Sequence, residues 1–223
     1  MTPRHFDDEL AQLKGDILRM GAMAQAAIAA AVEALKARDA AAAQKVIDSD
    51  VGMDSLELAI DDKCLELIAL HQPMAGDLRF ITTAIKLNAE LERIGDLAVD
   101  VAQRALDISG KPLLKPLEDI PRLADLARTM TGGAIEAFVK SDTALAKKVV
   151  LSDPEADELK RAVERELIND YMMRDGSTAD RAVPLLLAAR HLERVCDHAV
   201  SMAEDIVYMV SAVVVRHHPE ELK

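Results

Sequence analysis

Tryptophan is absent and only five of the 223 residues are aromatic, so a core of large rings is excluded; alanine, leucine, valine and methionine carry the apolar half of the chain instead. That is the palette of closely packed helices. Positive charge is also scarce, with 27 Lys and Arg against 39 Asp and Glu and a net charge of −12. A nucleic-acid surface is thereby excluded, because phosphate binding needs a basic stripe that releases counterions. Cations and basic partner surfaces fit better. No G-x-x-x-x-G-K-[ST], G-x-G-x-x-G or Gly-x-Ser-x-Gly string occurs, which leaves a kinase or phosphatase reading without a phosphate loop or a nucleophile.

The two cysteines, Cys64 and Cys196, are not at equivalent places in the repeat described below and lack zinc-ligand spacing, so buried thiols are expected. Met1 to Asp8 shows no basic stretch followed by an apolar one, and no secretory signal is read there. The mostly apolar run Ile206 to Val215 falls short of the roughly 20 residues a bilayer span needs. A cytoplasmic protein is the expectation.

What is present is a duplication. Leu91-Glu92-Arg93-x-x-Asp96-x-Ala98-Val99 returns as Leu192-Glu193-Arg194-x-x-Asp197-x-Ala199-Val200, shifted by 101 residues. Lys45-Val46-Ile47-x-Ser49-Asp50 returns as Lys148-Val149-Val150-x-Ser152-Asp153, and Val32-Glu33-Ala34 as Ile135-Glu136-Ala137, both shifted by 103. Pro112, Pro116 and Pro121 mark the linker between the copies. The sequence therefore predicts two domains, residues 1–112 and 113–223.

Six helices are read from apolar positions at three- and four-residue steps, such as Leu10, Leu13, Ile17, Met20 and Met23. They cover about residues 6–38, 40–71, 77–109, 118–140, 142–173 and 178–216. Asp153-Pro154 reads as an N-cap with Pro at the first helical position, so a break or kink is expected there, with Val51-Gly52 the softer equivalent. Long helices joined by short turns give an all-α fold of two tandem, pseudo-symmetric three-helix bundles.

The Glu and Asp four residues apart lie on one helix face, where like charges oppose each other unless a cation sits between them. Advancing 100° per residue from Glu92 puts Asp96 at about 40° and Asp100 at about 80°, on a flank beside the core stripe. In the second copy Asp197 falls at about 40° and Glu204 at about 20° from Glu193, while Ser201 replaces the acid that Asp100 predicts. Neighbouring helices offer Asp54, Glu57 and Asp61, with Asp157, Lys160 and Glu164 as their counterparts. Carboxylates from two helices make an oxygen-rich site suited to Mg²⁺, Mn²⁺ or Fe, or to Ca²⁺ with added waters. The ordinary alternative is solvated acids, paired with Arg93 and Arg194. His191 and His198 have no counterparts in the first copy and read as surface or pairing histidines.

The strings His71-Gln72-Pro73-Met74-Ala75-x-Asp77-Leu78-Arg79, Ile85-Lys86 and Leu91-Glu92-Arg93-Ile94-Gly95-Asp96, with the echo at Leu192 to Asp197, together resemble the PhoU family across essentially the whole chain. The resemblance implies two side-by-side three-helix bundles and a non-enzymatic regulator of phosphate uptake. Such a regulator links the ATPase of a phosphate ABC transporter to a sensor histidine kinase and represses the phosphate-starvation regulon when phosphate is plentiful. It also implies carboxylate-bound metal (Fe, Zn, Mg, Mn or Ca) at Glu92 and Asp96 and at Glu193 and Asp197, and a homodimer. Many relatives carry Asn where Asp100 stands, so the first site is expected to be the more acidic. The competing functions are a metal-cluster-dependent phosphate-processing enzyme and a metal-binding bundle protein.

Overall fold

The computed structural model describes residues 3–213, with side chains from Phe6 onward, and every regular element in it is helical. Helix α1 spans Pro3–Ala37, α2 Ala40–Ser49, α3 Val51–His71 and α4 Ala75–Ile108. The second half holds α5 Asp119–Lys140, α6 Thr143–Glu166 and α7 Ala179–Ser211. A π-helical turn, Leu167–Met172, prolongs α6, and a short 3₁₀ turn, Gly176–Thr178, leads into α7. In each half three helical rods pack together, the middle rod of the first being α2 and α3 end to end.

The duplicated turns are built alike. Arg38 and Ser141 both take the left-handed conformation, and the aspartate after each caps the next helix. Asp39 accepts from the Ala41 and Ala42 amides at 2.9 and 3.0 Å, and Asp142 accepts from the Ala144 and Leu145 amides at the same distances. The middle rods differ, against expectation. Helix α6 runs unbroken through Pro154, whereas the first half is interrupted at Asp50, whose amide reaches back only to the Ile47 carbonyl before Asp54 resumes the ladder on Asp50. Proline costs α6 one hydrogen bond, but Val149 and Ala156 on either side are buried and hold the rod in place. The last helix ends at Ser211, where Ala212 turns left-handed; the expected end at Arg216 lies outside the described residues.

By length and composition α1 is apolar enough to cross a membrane, a property spread along the helix and not gathered in one uninterrupted run. Here it is a core helix: Leu13, Ile17, Met20, Ala24, Ile28, Ala31 and Leu35 are fully buried. It packs on α4 within its own half and on α5 of the other. The α1–α5 approach is close, since a Cβ on Gly21 would sit 2.0 Å from Ile135 Cδ1. The two motif helices, α4 and α7, form the most extensive helix pair in the molecule, so the halves share one continuous core. Cys64 and Cys196 are buried thiols within it.

The linker is fixed in place. Arg38 donates to the Lys111 carbonyl at 2.6 Å, Lys115 pairs with Glu166, and Leu114 and Leu117 pack against the core. The first half has an open groove, about 640 Å³, lined by Met23, Ala27, Ala30, Ala34, Val46 and Val99. At the equivalent place in the second half a Cβ on Gly133 would lie 3.0 Å from Val149, so α5 and α6 approach closely there.

Candidate functional site

Helix α4 carries Glu92 and Asp96 on the flank that faces the α2–α3 junction. The Glu92 carboxyl is pushed above its ordinary range, first by burial and then by the charges of Asp96, Glu57 and Asp54, with Arg93 opposing. Asp50, at the break in the middle rod, is raised for the same reasons: burial, then Asp54, then Asp96. Asp50, Asp54, Glu57, Glu92 and Asp96 thus form one mutually repelling group across two rods.

The second half repeats it. Asp197 is held up to about 6 by burial, Glu193, Asp153 and Asp157, although His198 opposes. Asp153 is raised by burial, Asp157 and Glu193. Asp153 is the counterpart of Asp50 by the 103-residue shift, and in the sequence the string they end reads as evidence of the repeat and Asp153 as an N-cap, not as a site residue. The aspartate retained at the end of both copies was the available signal for its place in the cluster.

The clusters are unequal in their cations. Arg93 lies 3.3 Å from Asp96 and 3.5 Å from Glu92 on the first. In the second, Lys160 stands where Glu57 stands in the first and meets Glu193 at 3.4 Å, and Arg161 holds Asp157 at 2.6 Å. Among the described residues no three His, Cys, Asp or Glu side chains converge as a ready-made metal cage. The acids stand open, in reach of one another's fields. Their chemistry is that of hard oxygen donors whose protons or cations relieve the repulsion.

The remaining sequence-predicted residues go elsewhere. Asp100 faces α7, where His191 Nδ1 approaches it at 3.3 Å without hydrogen-bond alignment. His191 is held below its ordinary value because burial outweighs Asp100. Asp61 accepts from the buried Asn88 amide at 2.9 Å, and the same amide donates to the Glu57 carbonyl. Glu164 is half-buried on α6, and neither it nor the half-buried Glu204 is among the charges that shift Asp197. His198 pairs with Glu90 of α4 at 2.5 Å, so it is a pairing residue on the α4–α7 seam, whereas His191 lies half-buried on the same seam with its Nδ1 unbonded.

The raised Asp197 sets a pH dependence. Near and below its ordinary value of 3.8 the folded and unfolded forms are both protonated. Between there and about 6 the folded form holds a proton that the unfolded form has lost, so stability falls as pH rises through that window and levels off above it. In chelator-treated protein, Asp197→Asn is expected to stabilise by roughly 1 kcal/mol near neutral pH, a figure reduced for the side chain's solvent exposure. The gain should vanish toward pH ~4, below the folded-state value. Melting temperatures across that range check it, and a gain independent of pH would contradict the assignment.

The model of the PhoU domain matches residues 17–105 and again 120–206. A phosphate-specific transport system accessory protein PhoU homolog of Aquifex aeolicus is 39% identical over 209 residues, covering 94% of each chain. Its namesake from Caulobacter vibrioides is 37% identical over 206 residues, 92% of this chain and 89% of that one. The crystal structure of PhoU from Pseudomonas aeruginosa superposes with a TM-score of 0.88 at 33% identity, over 93% of this chain and all of that one. The phosphate transport system regulatory protein PhoU from Streptococcus pneumoniae gives 0.87 at 27% identity, over 94% and 99%.

Proposed function

The chain belongs to the PhoU family, and from that premise we propose that it regulates phosphate uptake and the phosphate-starvation response. In this reading it is a non-enzymatic cytoplasmic adaptor. It reports the state of a phosphate ABC transporter, through the ATPase subunit, to a sensor histidine kinase and represses the regulon when phosphate is sufficient. A homodimer belongs to the same reading. The observation that carries it is the likeness, through both repeats and over more than nine tenths of the chain, to proteins named as accessories of phosphate-specific transport. A rigid, acidic, all-helical surface suits docking on basic partner surfaces.

The acid clusters enter the proposal as sites for hard divalent ions or iron. Asp50, Asp54, Glu92 and Asp96 would hold metal in the first half, and Asp153, Asp157, Glu193 and Asp197 in the second. Bound there, a cation supplies positive charge between two rods that otherwise repel. The chain's own residues supply the donors and, through Arg93 and Lys160, partial neutralisation when the metal is absent.

Deleting the gene should switch on phosphate-starvation genes in phosphate-rich medium, read as reporter expression. The intact protein restores repression. Unchanged expression in the deletion strain would overturn the reading.

A further inference from the structure

Helix α3 is apolar on two opposite faces. Met53, Leu56, Ile60, Cys64 and Leu67 are buried against the bundle. On the far side Val51, Leu58 and Leu65, seven residues apart, are 68, 64 and 61% exposed. Advancing 100° per residue puts these three within about 40° of one line, opposite the buried stripe. They make a ridge about 21 Å long down the outside of the helix. A second apolar stripe on the outer face of a packed helix is contact surface left uncovered, and seven-residue spacing is the register of a helix–helix seam.

The second half carries different residues on the same face. By the 103-residue shift Pro154, Arg161 and Ile168 stand at the places of Val51, Leu58 and Leu65, so a charge breaks the run at its middle. The apolar ridge is therefore a property of one copy and not of the fold.

Charge identifies the occupant. Helix α3 carries Asp54, Glu57, Asp61, Asp62 and Glu66 against the single Lys63, which is tied to Asp16 at 2.9 Å. Asp54 and Asp61 line one side of the ridge, and Asp62 and Glu66 line the other. A second copy's α3 would bring the same acids face to face, and anionic lipid headgroups would meet them too; both juxtapositions are repulsive. We propose that the Val51–Leu58–Leu65 ridge is the docking surface for an amphipathic helix of a partner protein whose leucine-like face is flanked by Lys or Arg. Such pairing is helix against helix with complementary flanks. The inference is independent of the regulatory role, since it is read from binding in vitro.

The test uses the full chain and a fluorescent 21-residue helical peptide with Leu at heptad positions and Lys on both flanks. Saturable binding is expected, at least tenfold weaker for Leu58→Arg, which borrows the second half's own residue and leaves the buried face untouched. Leu151→Arg, the same chemistry at a 74% exposed site on α6, should leave affinity unchanged, and a Glu-flanked peptide should not bind. Equal loss in both variants would reduce the effect to net charge and overturn the proposal. Self-association, or sedimentation with phosphatidylcholine vesicles, that Leu58→Arg abolishes would assign the ridge to a second copy or a membrane and overturn it as well.

Discussion

Phe138→Ala is expected to lower the free energy of unfolding by about 3–5 kcal/mol, as truncation of a well-packed buried ring does. Phe138 is fully buried on α5 and is the largest side chain in the core. Its ring stacks on Phe80 of α4 with centroids 4.7 Å apart and planes 16° from parallel, and Lys14 of α1 lies 5.0 Å from the Phe80 centroid. One side chain thus joins the two halves at a point where α1, α4 and α5 meet. Leucine stands at the equivalent place, Leu35, so Phe138→Leu keeps most of the volume and should cost about 1 kcal/mol. Urea denaturation measures both. If alanine proved as mild as leucine, the ring would not be the bridge its stacking makes it.

The second large effect concerns a pair of positions next to the first acid cluster. A Cβ on Gly95 would lie 2.2 Å from Met53 Sδ and 3.6 Å from Asp50 Oδ1, so the absence of a side chain lets the α2–α3 junction close on the motif helix. In the second copy the partners are exchanged: Cys196 stands at the Gly95 position and Ala156 at the Met53 position, both fully buried. Gly95→Cys alone is expected to cost about 1–2 kcal/mol through overpacking. Met53→Ala alone should cost about 2–4 kcal/mol through the cavity it leaves. Together they rebuild the second half's solution, and the double variant should recover about 2 kcal/mol of the summed losses. Strict additivity in a double-mutant cycle would show that the two sites do not share one space.

The helices and the duplicated turns were legible because their causes are local: apolar steps of three and four residues, and an aspartate at each turn that caps the next helix. The difference between the middle rods was not legible. A proline signals a break only if nothing else holds the helix, and α6 is held by buried neighbours on both sides of Pro154. Asp100 shows the limit of a wheel diagram. Two steps of four residues carry it about 80° around α4 from Glu92, far enough to face α7 and His191. Asp50 and Asp153 were visible as letters, but their places in the clusters come from how the middle rod packs, which no single-helix pattern contains.

The α4–α7 seam has a consequence for how such a duplicated chain can change. A true two-fold dimer of one repeat would show every contact twice. Under the 101-residue shift, the Glu90–His198 pair would be mirrored by His191 with Leu97, and the Asp100–His191 pair by Ser201 with Glu90. Neither mirror is an acid–histidine pair. Covalent fusion releases each copy from its twin: a substitution at the seam acts once, can be matched by a single change across it, and can give the two ends of one protein different chemistry.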